Sequence, residues 1–172
     1  QTCALPILND LISRLNLLRK GLELRPAPTD LNSVVKSAID GIKPPENVHI
    51  KSELMLGALA MIDAGQIQSV VENLTLNAIE AMPNGGTIWI ASVAEGDQAL
   101  LTIADNGLGM SAEFLNRSLF RPFQTTKKKG IGIGLFHCKT IVDGHRGKIE
   151  VQSQPGSGTT FRIFLPLAPA AP

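Results

Sequence analysis

Lys127-Lys128-Lys129-Gly130-Ile131-Gly132-Ile133-Gly134-Leu135-Phe136 sets a glycine at every second position, directly after three lysines and directly before an apolar run. Without a Cβ, glycine lets backbone N–H groups come close to a ligand. A helix that starts straight after such a loop aims its unpaired N–H groups, and the positive end of its dipole, at any anion lying there. The lysines bring mobile positive charge to the same spot. The stretch reads as a phosphate cradle. A plain glycine turn beside a solvated charged loop is the alternative that this segment alone leaves open.

Upstream, residues 72–82 read Glu72-Asn73-Leu74-Thr75-Leu76-Asn77-Ala78-Ile79-Glu80-Ala81-Met82. Asn73 and Asn77 are four apart in a helical pattern, so they share one helix face. Asparagine is a poor helix-interior residue because its side chain competes for backbone hydrogen bonds. Two on one face of an apolar helix need a reason. Mg2+ supplies one, since it accepts amide carbonyl oxygens and takes phosphate oxygens and waters as its other ligands. Two buried, hydrogen-bonded amides are the alternative.

The alternating run Leu101-Thr102-Ile103-Ala104 ends in Asp105-Asn106-Gly107-Leu108-Gly109-Met110. A carboxylate at a strand end can accept a hydrogen bond from an exocyclic amine, and the two glycines let the chain bend around a flat ring. Gly156-Ser157-Gly158-Thr159-Thr160-Phe161 then opens a final strand, Phe161-Arg162-Ile163-Phe164-Leu165. Each segment taken singly is compatible with a turn.

In this order and at this spacing, the four segments resemble the N box, the first glycine box, the F box with second glycine box, and the Gly-Thr block of sensor histidine kinases. The wider family is the gyrase, Hsp90, histidine kinase and MutL type of ATPase. Phe120-Arg121-Pro122-Phe123-Gln124-Thr125-Thr126-Lys127 is similar to the F box of nitrogen-regulator-like kinases. The resemblance covers residues 26–167. It implies an α/β fold, the two-layer sandwich of helices over a mixed sheet known as the Bergerat ATP-binding fold, with ATP and Mg2+ as cofactors.

The same resemblance assigns roles by position. It implies that Asn77 ligates Mg2+ with Asn73 beside it, and that Asp105 reads the adenine amine with Thr159 supporting the ring. Gly107 and Gly109 would let the backbone pass near the nucleotide. Ser111 to Lys129 resembles the ATP lid. Thr126, Lys127, Lys128, Gly130, Gly132, Gly134 and Leu135 would line the nucleotide, with Lys127 neutralising charge during transfer. In hydrolysing relatives a glutamate four residues before the metal asparagine activates water. Here that position is Asn73, which cannot act as a general base. Glu72 lies about 100° round the helix and is implied to polarise the attacking histidine. Where many kinases carry a basic residue, this chain has Glu80, a mark of the nitrogen-regulator subclass. The implied activity is that of a protein histidine kinase, moving the γ-phosphate of ATP to a histidine for relay to a response regulator. A related nucleotide-binding module, such as an anti-sigma serine kinase or a degenerate regulatory ATPase, is the alternative.

Composition fits one compact domain. With 44% hydrophobic and 18% charged residues in 172, the chain is globular rather than disordered and long enough for one core. A net charge of +1 argues against a nucleic-acid surface. No apolar run approaches a membrane span and no signal peptide is visible, so a cytoplasmic domain is expected. Cys3 and Cys138 have no metal spacing and imply no disulfide framework. Cys138 reads as inert core.

Residues 8–20 set Leu8, Leu11, Ile12, Leu15 and Leu18 on one stripe, and Arg25-Pro26-Ala27-Pro28 reads as a stiff linker. Thr29 or Asp30 caps a helix running to Ile42, Val48 to Lys51 is a strand, and Ala64 to Met82 is the N-box helix. Strands are expected at Thr87 to Ala91 and Ala99 to Thr102, a helix from Ile133 to Asp143, and strands at Lys148 to Gln152 and Thr160 to Leu165. Residues 8–25 resemble only the end of the family's dimerisation and phosphotransfer hairpin, and 168–172 read as a tail. His49, His137 and His145 lie inside the ATP domain, none in a phosphoacceptor context, and His145 resembles a structural histidine. The partners implied are therefore a histidine-bearing dimerisation domain of a homodimeric parent and, through it, a response regulator, with this fragment itself monomeric. Gln1-Thr2-Cys3-Ala4-Leu5-Pro6-Ile7 can be encoded by CAG-ACG-TGT-GCT-CTT-CCG-ATC, which resembles the end of a short-read sequencing adapter. Residues 1–7 are thus expected to be non-native and the chain to be the C-terminal piece of a longer sensor kinase. Gly130 to Lys139 also resembles kinases of exosortase (PEP-CTERM) systems, which implies a parent anchored in the inner membrane.

Overall fold

A computed structural model describes residues 23–124 and 132–169. The leader at 1–7, the stripe at 8–20 and four of the expected nucleotide contacts, Thr126, Lys127, Lys128 and Gly130, lie outside the described residues.

The elements run β1 (Ala27–Thr29), α1 (Leu31–Asp40), β2 (Val48–Leu54), β3 (Ala60–Ile62), α2 (Ala64–Glu80), β4 (Gly86–Glu95), β5 (Gln98–Asp105), α3 (Ala112–Arg117), α4 (Gly134–Gly144), β6 (Lys148–Gln154) and β7 (Gly158–Pro166). Five strands form a mixed sheet in the order β2-β4-β5-β7-β6. β2 pairs with β4 in parallel, and the other neighbours are antiparallel. The expected α/β sandwich is the observed architecture.

Alternation explains which face is buried. Ile88 and Ile90 of β4, Leu101 and Ile103 of β5, and Phe161, Ile163 and Leu165 of β7 point to one side, where they are buried. α1 meets them with Leu31, Val34, Val35 and Ala38, and α2 with Ile67, Val70, Val71, Leu74 and Ala78, both at helical spacing. From α4 come Cys138, Ile141 and Val142. Cys138 is core, as expected. Trp89, 44% exposed, and Val93, 41% exposed, stand on the opposite face. Among the described residues no second helical layer covers them, so the described fold has two layers.

Caps set where the helices start. Asp30 accepts the Asn32 N–H and opens α1, while Asp63 accepts the Gln66 N–H at 3.2 Å and opens α2. Each stands just before an apolar-periodic run, as N-caps do. The structure departs from the sequence reading at several element bounds, and two of the departures have a clear cause. Ala27 and Pro28, read as linker, and Thr29, read as a possible helix cap, form a strand paired antiparallel with β3. Pro28 fits there because a two-stranded sheet has a free side for a residue without an N–H. β2 extends past Lys51 to Leu54, because its pairing with β4 continues to Leu54 opposite Ser92.

Candidate nucleotide site

α2 carries both asparagines on its half-buried side. The Asn73 amide nitrogen donates to the Ser69 carbonyl at 3.0 Å. Its Oδ1 is thereby turned toward α4, where a Cβ added to Gly134 would stand 3.2 Å from it. A side chain at Gly134 would press on the Asn73 amide, so glycine eases the close approach of the first turn of α4. That turn has Ile133 at its N-cap, no side-chain hydrogen bond to its free N–H groups and no acidic residue. Among the described residues, the positive end of this 11-residue helix has no side-chain cap, and a helix end of this kind suits an anion. Gly134 and Asn73 are brought together, and Leu135 packs against the core beside them. Asn77 lies one turn further along α2. Glu72 holds the Gln68 amide at 2.8 Å on a neighbouring part of the same helix.

The other end of the site is built by β5, β7 and the end of α2. Asp105 stands opposite Thr159. Its Oδ1 accepts the Gly107 N–H at 2.8 Å. Burial pushes the carboxyl up from its ordinary value, and the N–H groups of Gly107 and Thr159 offset this only in part. A half-buried acceptor with no cation beside it among the described residues gains most from a ligand that donates a hydrogen bond to it. The glycine box is clamped on two sides. The Leu108 N–H bonds the Ala81 carbonyl at 2.9 Å, and the Leu108 carbonyl accepts the Gly156 N–H at 2.7 Å. Gly109 has φ +67°, and an added Cβ would run into the Gln154 carbonyl. The close approach that Gly107 and Gly109 permit here is to the protein's own backbone, which holds the loop against α2 and the β6–β7 hairpin. Gly132 likewise packs on the Gln124 backbone, and its carbonyl accepts the Phe123 N–H at 3.0 Å.

Two residues of the site were missed by motif reading. Ser153 of β6 accepts the Met110 N–H at 2.8 Å, donates to the Gly158 carbonyl at 2.8 Å and lies 2.9 Å from the Thr159 hydroxyl. It joins the first glycine box to the Gly-Thr block. Asp63 is the second. Besides capping α2, it accepts the Arg25 N–H at 3.0 Å, and its own N–H bonds Nε2 of His145 at 2.9 Å. Buried His145 in turn meets the Ile141 carbonyl through Nδ1 at 2.8 Å, the structural role expected of it. Neither signal was local enough to find from spacing.

Among the described residues no group of three His, Cys, Asp or Glu side chains could hold a metal, and no helix is long and apolar enough to cross a membrane. The amide oxygen donors on this face of α2 are Asn73, which lies against α4, and Asn77 one turn further on. This pair fits a magnesium ion that arrives with phosphate oxygens and waters, and it does not fit a resident ion held by protein alone.

Comparison with known proteins agrees with this geometry. The sequence model of the family described as histidine kinase-, DNA gyrase B- and HSP90-like ATPase matches residues 62–169. Sporulation kinase E of Bacillus subtilis (strain 168) is 42% identical over 106 residues, 61% of this chain and 14% of the relative. The alginate biosynthesis sensor protein KinB of Pseudomonas aeruginosa is 36% identical over 169 residues, 94% of this chain and 28% of the relative. The chain therefore spans well under a third of the length of either. A crystal form of the catalytic domain of histidine kinase ThkA superposes with a TM-score of 0.72 at 28% identity, covering 86% of this chain and 100% of that one. The chain belongs to the histidine kinase-, DNA gyrase B- and HSP90-like ATPases, as an ATP-binding catalytic domain of the sensor histidine kinase type.

Proposed function

We propose that this domain positions Mg-ATP for transfer of its γ-phosphate to a histidine on a helical dimerisation domain of a longer, homodimeric parent, for relay to a response regulator. The observation that carries the reading is the polarity of the site along α2. A desolvated acceptor, Asp105, stands beyond the C-terminal end of the helix, where the glycine box bonds Ala81. An uncapped helix N-terminus lies against Asn73. The two ends are about 12 Å apart along the axis at about 1.5 Å per residue, and a nucleoside triphosphate has the matching order of amine-bearing base and polyanion.

In this reading Asp105 and Thr159 hold the adenine, and the first turn of α4 with Gly134 and Leu135 receives the phosphates. Asn77, with Asn73 beside it, supplies amide oxygens to Mg2+, which when bound withdraws charge from the phosphate oxygens. Glu72 orients the incoming histidine, while Lys127, together with Thr126, Lys128, Gly130 and Gly132, meets the charge that develops as the phosphoryl group leaves. Asn73 replaces the carboxylate that activates water in the hydrolysing relatives, which favours transfer over hydrolysis. The absence of a long apolar helix among the described residues is compatible with a cytoplasmic face for the domain, and inner-membrane anchoring would belong to the parent.

The test is phosphotransfer in trans. Mixed with Mg-ATP and the histidine-bearing domain of its parent, the chain should generate an acid-labile phosphohistidine on that domain and none on itself. ATP binding with no transfer to any histidine-bearing domain of the parent, and steady release of inorganic phosphate instead, would assign the domain to the hydrolysing branch.

A further inference from the structure

Ser153 lies on the inner sheet face in one cross-strand row with the base-reading pair: Asp105 is opposite Thr159, and Thr159 is opposite Ser153. A serine hydroxyl has one proton to give and two lone pairs to accept with. The Gly158 carbonyl, 2.8 Å away, can only accept, so the Ser153 proton is committed there. The Met110 N–H, 2.8 Å away, can only donate, and takes one lone pair. The remaining contact is to the Thr159 hydroxyl at 2.9 Å. One lone pair and no proton are left for it, so Thr159 is the donor. The Thr159 proton is thereby spent inside the protein, and toward a ligand its oxygen offers lone pairs alone.

We propose that Ser153 is a positioning residue that sets base specificity. By taking up the Thr159 proton it makes Thr159 an obligate acceptor beside Asp105, itself an acceptor. The pair then favours a purine with an exocyclic amine and disfavours one with a carbonyl at that position. Sites built from fixed hydrogen-bond polarity reject mismatched analogues because a buried group is left unpaired. The inference rests on the reading of Asp105 and Thr159 as the adenine-binding pair. Ser153 touches no ligand and acts through Thr159.

The experiment is calorimetric titration of the whole chain with Mg-ATP and with the magnesium complex of inosine triphosphate, which carries a carbonyl in place of the amine. Ser153→Ala frees the Thr159 hydroxyl to turn and donate, so the preference for ATP should fall by up to about tenfold, the worth of one neutral hydrogen bond. Ser153→Thr, which keeps a hydroxyl, should restore the parental preference. Ser153→Cys, nearly the same size but a poor acceptor, should lower the preference as alanine does, and it serves if alanine fails to fold. In a Thr159→Val background, Ser153→Ala should change the preference no further. If Ser153→Ala and Ser153→Cys weaken both nucleotides equally, Ser153 is only a brace for Met110 and the proposal is wrong. Asp105→Asn separates the two levels: a parental preference in that variant would remove the base-reading assignment itself, whereas a changed preference there with an unchanged one in the Ser153 variants would remove only the proposal.

Discussion

Nε2 of His145 accepts the backbone N–H of Asp63 at 2.9 Å, across 82 residues of sequence. That contact fastens the end of α4 to the start of α2, and Asp63 also receives the Arg25 N–H from the incoming chain. Partial burial raises the Asp63 carboxyl, but the N–H groups that donate to it, those of Arg25 and Gln66 first, hold it below its ordinary value. One residue thus ties the entry segment to both α2 and α4.

His145→Ala removes the acceptor and leaves the Asp63 N–H without a partner beside a new cavity. The expected cost is about 1–3 kcal/mol from the unpaired group, with more from the lost packing. Urea unfolding of the empty domain checks it. A midpoint equal to that of the parent would show that the histidine does not hold the helices together.

Asp105 stores a cost of burial that, in the proposed reading, a bound nucleotide relieves. Its carboxyl is raised in the folded state by burial, so the unfolded chain ionises first as pH rises. Its stabilising contribution is complete below the ordinary value of 3.8 and is lost as pH climbs through the higher folded value. Asp105→Asn should therefore make the nucleotide-free domain more stable than the parent at pH 7, with the difference closing in acid. The same substitution should weaken ATP by about 1.5–3 kcal/mol, the worth of a hydrogen bond to a charged group. Thermal melts at two pH values with and without ATP report both effects, and opposite signs in the two states are the signature to look for.

Asn77→Ala should abolish most of the Mg2+ dependence of ATP binding while leaving metal-free nucleotide affinity nearly unchanged. Mg2+ alone should not bind the empty parent measurably, because the described side chains near α4 offer amides and no carboxylate cluster. Titrations of ATP in magnesium and in EDTA settle it. Undiminished metal dependence in the variant would move the ligand elsewhere.

Gly109 and Gly156 allow a graded test of the clamp. Both have positive φ, +67° and +76°, but an added Cβ at Gly109 would run into the Gln154 carbonyl, while at Gly156 it would meet nothing within 4 Å. Gly156→Ala should cost about 1–2 kcal/mol from backbone conformation alone. Gly109→Ala should cost more and weaken ATP as well, because the loop must leave the β6–β7 hairpin. Equal losses in the two variants would mean that the hairpin contact carries little.

What could be read from sequence was what repeats locally. Periods of two and of 3.6 residues marked the strands and helices, and Asn73 with Asn77, or the alternating glycines before Leu135, are legible because neighbours a few residues apart share one face or one loop. The carboxylate at the end of a strand, Asp105, was visible for the same reason. Tertiary structure alone decided the rest. The β1–β3 pairing joins residues 31 to 35 positions apart, Ser153 reaches back 43 residues to Met110, and His145 reaches back 82 to Asp63. A hydroxyl, an imidazole or a three-residue strand has many candidate partners along a chain, and only packing of the two layers selects one. The polarity of the Thr159 hydroxyl lies furthest from the sequence, since it depends on how the Met110 N–H, the Ser153 hydroxyl and the Gly158 carbonyl pair once β5, β6 and β7 lie side by side.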